Sequence, residues 1–202
     1  MSPEHREGRG AVLAVVGPSG AGKDTLIARA QARLAHRPEF VFPRRTVTRD
    51  ADPSAEDHDC LDAASFAEAA ARGAFCLTWS AHGLSYGLPA SMLADVRQGR
   101  IVVANVSRTA LTPLVALFDA VHVVEVTAAP DVLLRRIAAR GRESEAEIAA
   151  RIARSVALIV PPNAAGLHRI ENSGAIDTAV EAFCRLVLEI GPRRGVAALQ
   201  QG

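Results

Sequence analysis

The chain has 202 residues, 49% of them hydrophobic, and its 23 basic and 22 acidic side chains leave a formal charge of +1. That is enough for one domain with a sizeable core, and the near-neutral balance speaks against the broad basic field of a nucleic-acid or anionic-membrane binder. Cys60, Cys76 and Cys184 lack C-x-x-C spacing, which points away from a zinc site or disulfide frame; with no apolar run near membrane-spanning length, a cytoplasmic setting is expected.

Residues 1–9 read as a polar leader without the apolar stretch of a secretion signal. Ala11 to Val16 is an unbroken apolar run, suited to a strand buried on both faces. Gly17 to Lys23 then spells G-x-x-x-x-G-K, and Leu26, Ile27, Ala30 and Leu34 carry a helical period onward. Strand, glycine loop and helix form the context in which this pattern is a phosphate cradle. The backbone amides of Gly17, Pro18, Ser19, Gly20, Ala21 and Gly22 form the loop (proline contributing no N–H), and the helix N-terminus adds partial positive charge. Lys23 is the only lysine among the 23 basic residues; a compact ammonium is hard to replace by a planar fork at such a site. The hydroxyl that usually follows the lysine and binds Mg²⁺ is replaced by Asp24, with Thr25 next. Both are hard oxygen donors and candidate metal ligands.

Phe40 to Arg49 reads as a strand-like segment ending in arginines, and residues 50–59 as an acidic loop. A helix is expected over 63–72, closed by Gly73, then a strand over 75–80 and a turn at 82–87 into a return strand. Pro89 opens a helix through Val96. Strands follow at 100–106 and 121–126, with helices at 108–118 and from Pro130 to Arg140. Ser144 and Glu147 fit a capping box before a further helix. A last strand at 167–171, a turn at Asn172 to Gly174, a helix over 176–190 and a tail over 191–202 complete the chain. The alternation predicts an α/β protein: a three-layer α/β/α fold with a parallel sheet core over 10–190. Such sheets bind ligands at the carboxyl ends of their strands, where the P-loop, the Asn105 to Arg108 turn and the Asn172 turn converge.

The segments GPSGAGKD, RRTVTR, F-x(3)-W, HGLSYG, R-R-I-x-x-R-G-R-E and the final N-x-G turn stand in the order of guanylate-kinase-like P-loop kinases, which this chain resembles over about residues 11–190. More narrowly, GKD, EDH at 56–58, WSAHGLSYG at 79–87 and VVANVSR at 102–108 resemble the ribose 1,5-bisphosphate phosphokinases of phosphonate utilisation. The resemblance implies ATP and Mg²⁺, an acceptor-binding insert at about 40–88 and a lid at about 135–151. It places Arg45, Arg49 and Tyr86 at the acceptor phosphate, and the lid arginines, of which Arg136, Arg140 and Arg151 are chosen with Lys23 as catalytic, over the donor phosphates. Asn172 would touch the adenine.

A phosphate acceptor is already largely ionised near pH 7, so its kinase needs no general base; it needs cations that cancel the repulsion between phosphates. The arginines fit that need. Thr78, Leu88 and Asp52 occupy the places where guanylate kinases carry a guanine-reading carboxylate, a hydroxyl and a second arginine. An unread guanine edge costs about 1–3 kcal/mol or more, which disfavours GMP. Glu56, His58, His82, Asn105 and Arg108 are then candidates for the phosphorylated sugar. The expected reaction is ATP-dependent conversion of ribose 1,5-bisphosphate to 5-phosphoribosyl 1-diphosphate, with a homodimer left open. The alternatives are a nucleoside monophosphate kinase and an inactive guanylate-kinase-like interaction module.

Overall fold

The computed structural model describes residues 10–49, 58–81, 83–139 and 158–191. Its core is a five-stranded sheet built from β1 (Ala11–Val16), β2 (Phe40–Val41), β7 (Ile101–Asn105), β8 (Val121–Thr127) and β9 (Gly166–Glu171). Their spatial order is β2-β7-β1-β8-β9, every pairing parallel. β1 lies at the centre and is 0–6% exposed throughout, as its apolar run requires of a strand covered on both faces.

The pleat divides that run between two cores. Ala11, Leu13 and Val15 face α1 (Lys23–Arg33) and α6 (Ile176–Ile190), packing with Leu26, Ala30, Val180 and Phe183. Val12, Ala14 and Val16 face α3 (Ser91–Arg97) and α4 (Leu111–Leu117), packing with Met92, Leu111 and Leu114. These are the three layers that the alternation of elements predicts. α5 (Pro130–Ala138) follows β8, with proline at its start.

Pro43 lies where one expected segment becomes two strands in different sheets. β2 joins the core, and β3 (Arg45–Thr48) joins a second, four-stranded sheet ordered β4-β3-β6-β5. The others are β4 (His58–Leu61), β5 (Phe75–Ala81) and β6 (Leu84–Pro89). α2 (Ala63–Ala71) crosses between β4 and β5, capped by the Asp62 carboxylate, which accepts from the Ser65 amide at 2.8 Å. Trp79 and Leu88 of the second sheet enter the α3/α4 core, so that sheet is seated on the core by apolar burial. Among the described residues, no helix is long and apolar enough to cross a membrane.

A candidate phosphoryl-transfer cleft

Because the core strands are parallel, β1, β7, β8 and β9 end along one rim. The P-loop follows β1 there, and the second sheet faces it. Between them lies an open cleft lined by P-loop residues including Gly17, Ser19, Gly20, Gly22, Lys23 and Asp24. Arg45, Arg49, Trp79, Ala81, Tyr86, Asn105, Val106 and Ser107 complete its walls.

Lys23 curls back across the loop, its Nζ donating to the carbonyls of Gly17 at 2.9 Å and Pro18 at 3.1 Å. Two glycines are demanded by close approach. A Cβ on Gly17 would lie 2.2 Å from the Val126 carbonyl oxygen. Gly22, the residue before α1, has φ 85° and ψ 22°, and a Cβ there would lie 2.6 Å from Asn172 Nδ2.

Asn172 is tied to the loop itself. Its side chain is 1% exposed and lies beneath the loop, with Nδ2 donating to the Ala21 carbonyl at 2.8 Å. That bond supports the cradle from within, while Asn172 Oδ1 is buried without a partner among the described residues. The next residue, Ser173, ties the same turn to α5: its hydroxyl accepts from the Ala129 amide at 2.6 Å and donates to the Glu171 carboxylate. Hydrogen bonds from the Ser173 hydroxyl and amide, and then the charge of Arg136, hold the Glu171 carboxyl below its ordinary range. Arg136 itself projects from α5 to the loop, its Nη1 3.9 Å from the point a Gly22 Cβ would occupy. Nη1 is buried without a hydrogen-bond partner among the described residues.

On the facing wall, three planes lie in sequence. Trp79 stacks on Tyr86 with centroids 5.3 Å apart and 10° between planes, and the Arg45 guanidinium lies over the Tyr86 ring at 5.7 Å. Paired strands explain this, since Trp79 is opposite Tyr86 in the β5–β6 register and Tyr86 is opposite Val47 of β3. Arg45 Nη2 also lies 3.6 Å from Asp24 Oδ1. The same oxygen accepts a short hydrogen bond from Asn105 Nδ2, across from the end of β7. The Asn105 nitrogen is thus committed to Asp24, while its oxygen is buried without a partner among the described residues.

Other candidates fall elsewhere. Thr25 is exposed and off the cleft wall, and Pro18 and Ala21 serve through the loop backbone. Arg108 is drawn to Glu125, 4.0 Å away, which also accepts from Arg169 at 3.1 Å. A carboxylate only 9% exposed requires such cations, and Arg108 is absent from the cleft wall. His58 lies on β4, paired in register with Arg45. Glu56, His82, Arg140 and Arg151 lie outside the described residues, as do Asp52 and the Ser144–Glu147 capping box. Thr78 is exposed and Leu88 is buried at 1% in the core. Ser107, Ser173 and Glu171 were not anticipated. Ser107 had a positional signal, directly after a buried strand; the other two act through contacts no spacing reveals.

No protein-family model matches the chain. Curated proteins do. A ribose 1,5-bisphosphate phosphokinase of Brucella melitensis is 45% identical over 182 residues, covering 90% of this chain and 94% of the relative. One from Methylobacterium radiotolerans is 48% identical over the same share of this chain and 97% of its own. One from Acidiphilium cryptum is 53% identical over 73% of this chain and 78% of its own. Among solved structures, guanylate kinase from Anaplasma phagocytophilum superposes with a TM-score of 0.62 at 14% identity, covering 93% of this chain and 89% of that one. That likeness establishes the P-loop kinase fold.

Proposed function

Since the chain belongs to the ribose 1,5-bisphosphate phosphokinase family, we propose that it transfers a phosphoryl group from ATP to the 1-phosphate of ribose 1,5-bisphosphate, giving 5-phosphoribosyl 1-diphosphate. The observation that carries the reading is the composition of the cleft wall: Lys23, Arg45 and Arg49 supply cations from both sides, against one carboxylate, Asp24. Histidine and glutamate, the usual bases for a hydroxyl acceptor, are missing from that wall among the described residues. An acceptor phosphate needs none, because it arrives ionised. Lys23 and the loop amides hold the donor phosphates; Arg45 and Arg49, with Tyr86 beside them, hold the acceptor phosphate in line.

Arg136, whose Nη1 is buried beside Gly22, adds charge where the γ-phosphate turns over. Arg140 and Arg151, within a lid proposed over about 135–151, complete that set. The donor set also fits Mg²⁺. Asp24 Oδ1 is engaged by Asn105 and Arg45, leaving Oδ2 without a protein partner among the described residues. A bound Mg²⁺ would neutralise charge on the donor phosphates. Guanine finds no reader at the two described positions that could supply one, since Thr78 carries no carboxylate and Leu88 is buried in the core.

A coupled assay with purified protein, ATP and Mg²⁺ tests the reading with ribose 1,5-bisphosphate and GMP offered separately. Turnover of ribose 1,5-bisphosphate is expected to dominate; faster turnover of GMP would overturn the assignment.

A further inference from the structure

Asp24 stands at the junction of two sites. It is the second residue of α1, directly after the P-loop lysine, yet its Oδ1 reaches across the cleft floor to groups on two other elements. Asn105 of β7 donates to it and fixes the carboxylate plane. Arg45 of β3 lies 3.6 Å away, beyond an optimal hydrogen bond but well inside ion-pair range. Arg45 is 18% exposed and rests over Tyr86, which in turn rests on Trp79, so the guanidinium is confined near the carboxylate. The charge that Arg45 presents to an incoming anion therefore depends on how much of it Asp24 holds.

We propose that Asp24 is a positioning residue that couples the donor and acceptor sites. With Oδ2 unpaired among the described residues, the carboxylate restrains Arg45 and repels a second phosphate. Were Asp24 to hold a divalent cation delivered with the nucleotide, its negative charge would be drawn away from Arg45. Both consequences have one sign: Arg45 turns its donors to the acceptor phosphate, and the repulsion is cancelled. Metal-nucleotide and acceptor then tighten each other reciprocally, as linkage requires. A carboxylate does this where a hydroxyl cannot, because only a charged group neutralises an arginine and is itself neutralised by a cation. The inference rests on the proposed function for the identity of the acceptor, and on the cleft geometry for everything else.

Trp79, the sole tryptophan, reports on this wall without turnover. Its emission is titrated with ribose 1,5-bisphosphate and, in parallel, with inorganic phosphate. Each titration is run without nucleotide, with a saturating non-hydrolysable ATP analogue plus Mg²⁺, and with that analogue plus EDTA. Wild-type protein is expected to bind the anion about fivefold or more tightly in the Mg²⁺ arm alone. Asp24→Asn, isosteric and uncharged, is expected to bind more tightly than wild type without nucleotide, and to show a Mg²⁺ enhancement below about twofold. Asn105→Ala, which lets the carboxylate turn, gives a partial loss.

An unchanged enhancement in Asp24→Asn refutes the coupling, as does weaker nucleotide-free binding by that variant. Absence of any saturable phosphate signal in wild type with Mg²⁺-nucleotide refutes it equally. If phosphate saturates the site and ribose 1,5-bisphosphate does not, the substrate reading fails, while the phosphate series still decides the role of Asp24.

Discussion

Gly22→Ala tests the architecture of the cradle more sharply than removal of any charged group. Gly22 sits in the left-handed region, with φ 85°, where a Cβ costs about 1–2 kcal/mol. The same Cβ would stand 2.6 Å from Asn172 Nδ2, a separation that forces the amide off its 2.8 Å bond to the Ala21 carbonyl. Breaking that bond between buried partners adds about 1–3 kcal/mol, for a total near 2–5 kcal/mol. In a chain of this length each kcal/mol lowers the melting midpoint by roughly 2–4 °C. Asn172→Ala should cost about 1–3 kcal/mol alone, because it removes the same bond. The double variant should then cost about what Gly22→Ala costs, leaving a coupling of about 1–3 kcal/mol. Denaturant unfolding of the four proteins measures every corner of the cycle. Additivity within about 0.5 kcal/mol would show that Gly22 and Asn172 act independently, and the account of Asn172 as the floor of the loop would be wrong.

Lys23→Ala should abolish turnover with the fold retained, as read by steady-state kinetics and circular dichroism; Lys23→Arg should also be impaired, since a planar fork does not fit a site built for a point charge, and unchanged kcat in either would refute the cradle role. Arg45→Ala should raise the acceptor KM by about tenfold or more, the loss of a charge-assisted contact of about 1.5–3 kcal/mol, with the ATP KM moved far less; the reverse pattern would reassign Arg45 to the donor. Stability should also depend on His122, whose Nδ1 lies 3.2 Å from His168 Nε2. Burial first, and the neighbouring His168 second, push its pKa below the ordinary 6.5. The folded state therefore binds fewer protons than the unfolded one below that pH, so stability is full above 6.5 and falls as the solution is acidified. The thermal midpoint measured from pH 7.5 to 5.5 should drop, and His122→Gln should flatten the slope; a parallel slope in the variant would locate the dependence elsewhere.

The core sheet was legible because its causes are local. Val12 to Val16 carry enough uninterrupted apolar surface to demand burial on both faces, and the glycine–lysine spacing can do little but cradle an anion. The strand boundaries came within a few residues for the same reason. Non-local facts were hidden. Phe40 to Thr48 reads as one extended segment, but the chain breaks at Pro43 and gives its halves to different sheets, a partition decided by which partner strands are available. Asn172 and Arg108 show the same limit among polar residues. Their types fit a ligand as well as they fit the protein, and no spacing reveals that the Ala21 carbonyl and Glu125 lie beside them.

Asp24 carries this furthest. At the level of the motif it is a departure from a hydroxyl, and nothing in the spacing says why a carboxylate should be tolerated beside bound phosphates. A negative charge at that place is costly unless something answers it. The fold supplies two answers, Asn105 from β7 and Arg45 from the second sheet, and neither is within twenty residues of Asp24 in the chain. The substitution is therefore intelligible only together with the insert that brings Arg45 over the P-loop. A chain that kept Asp24 but lost Arg45 should bind nucleotide less well than one lacking both, because the orphaned carboxylate would then face the donor phosphates unopposed. Nucleotide affinity of Arg45→Ala compared with Arg45→Ala/Asp24→Ser, measured by calorimetry without metal, decides it; equal or weaker binding by the double variant would mean that the two residues do not answer each other.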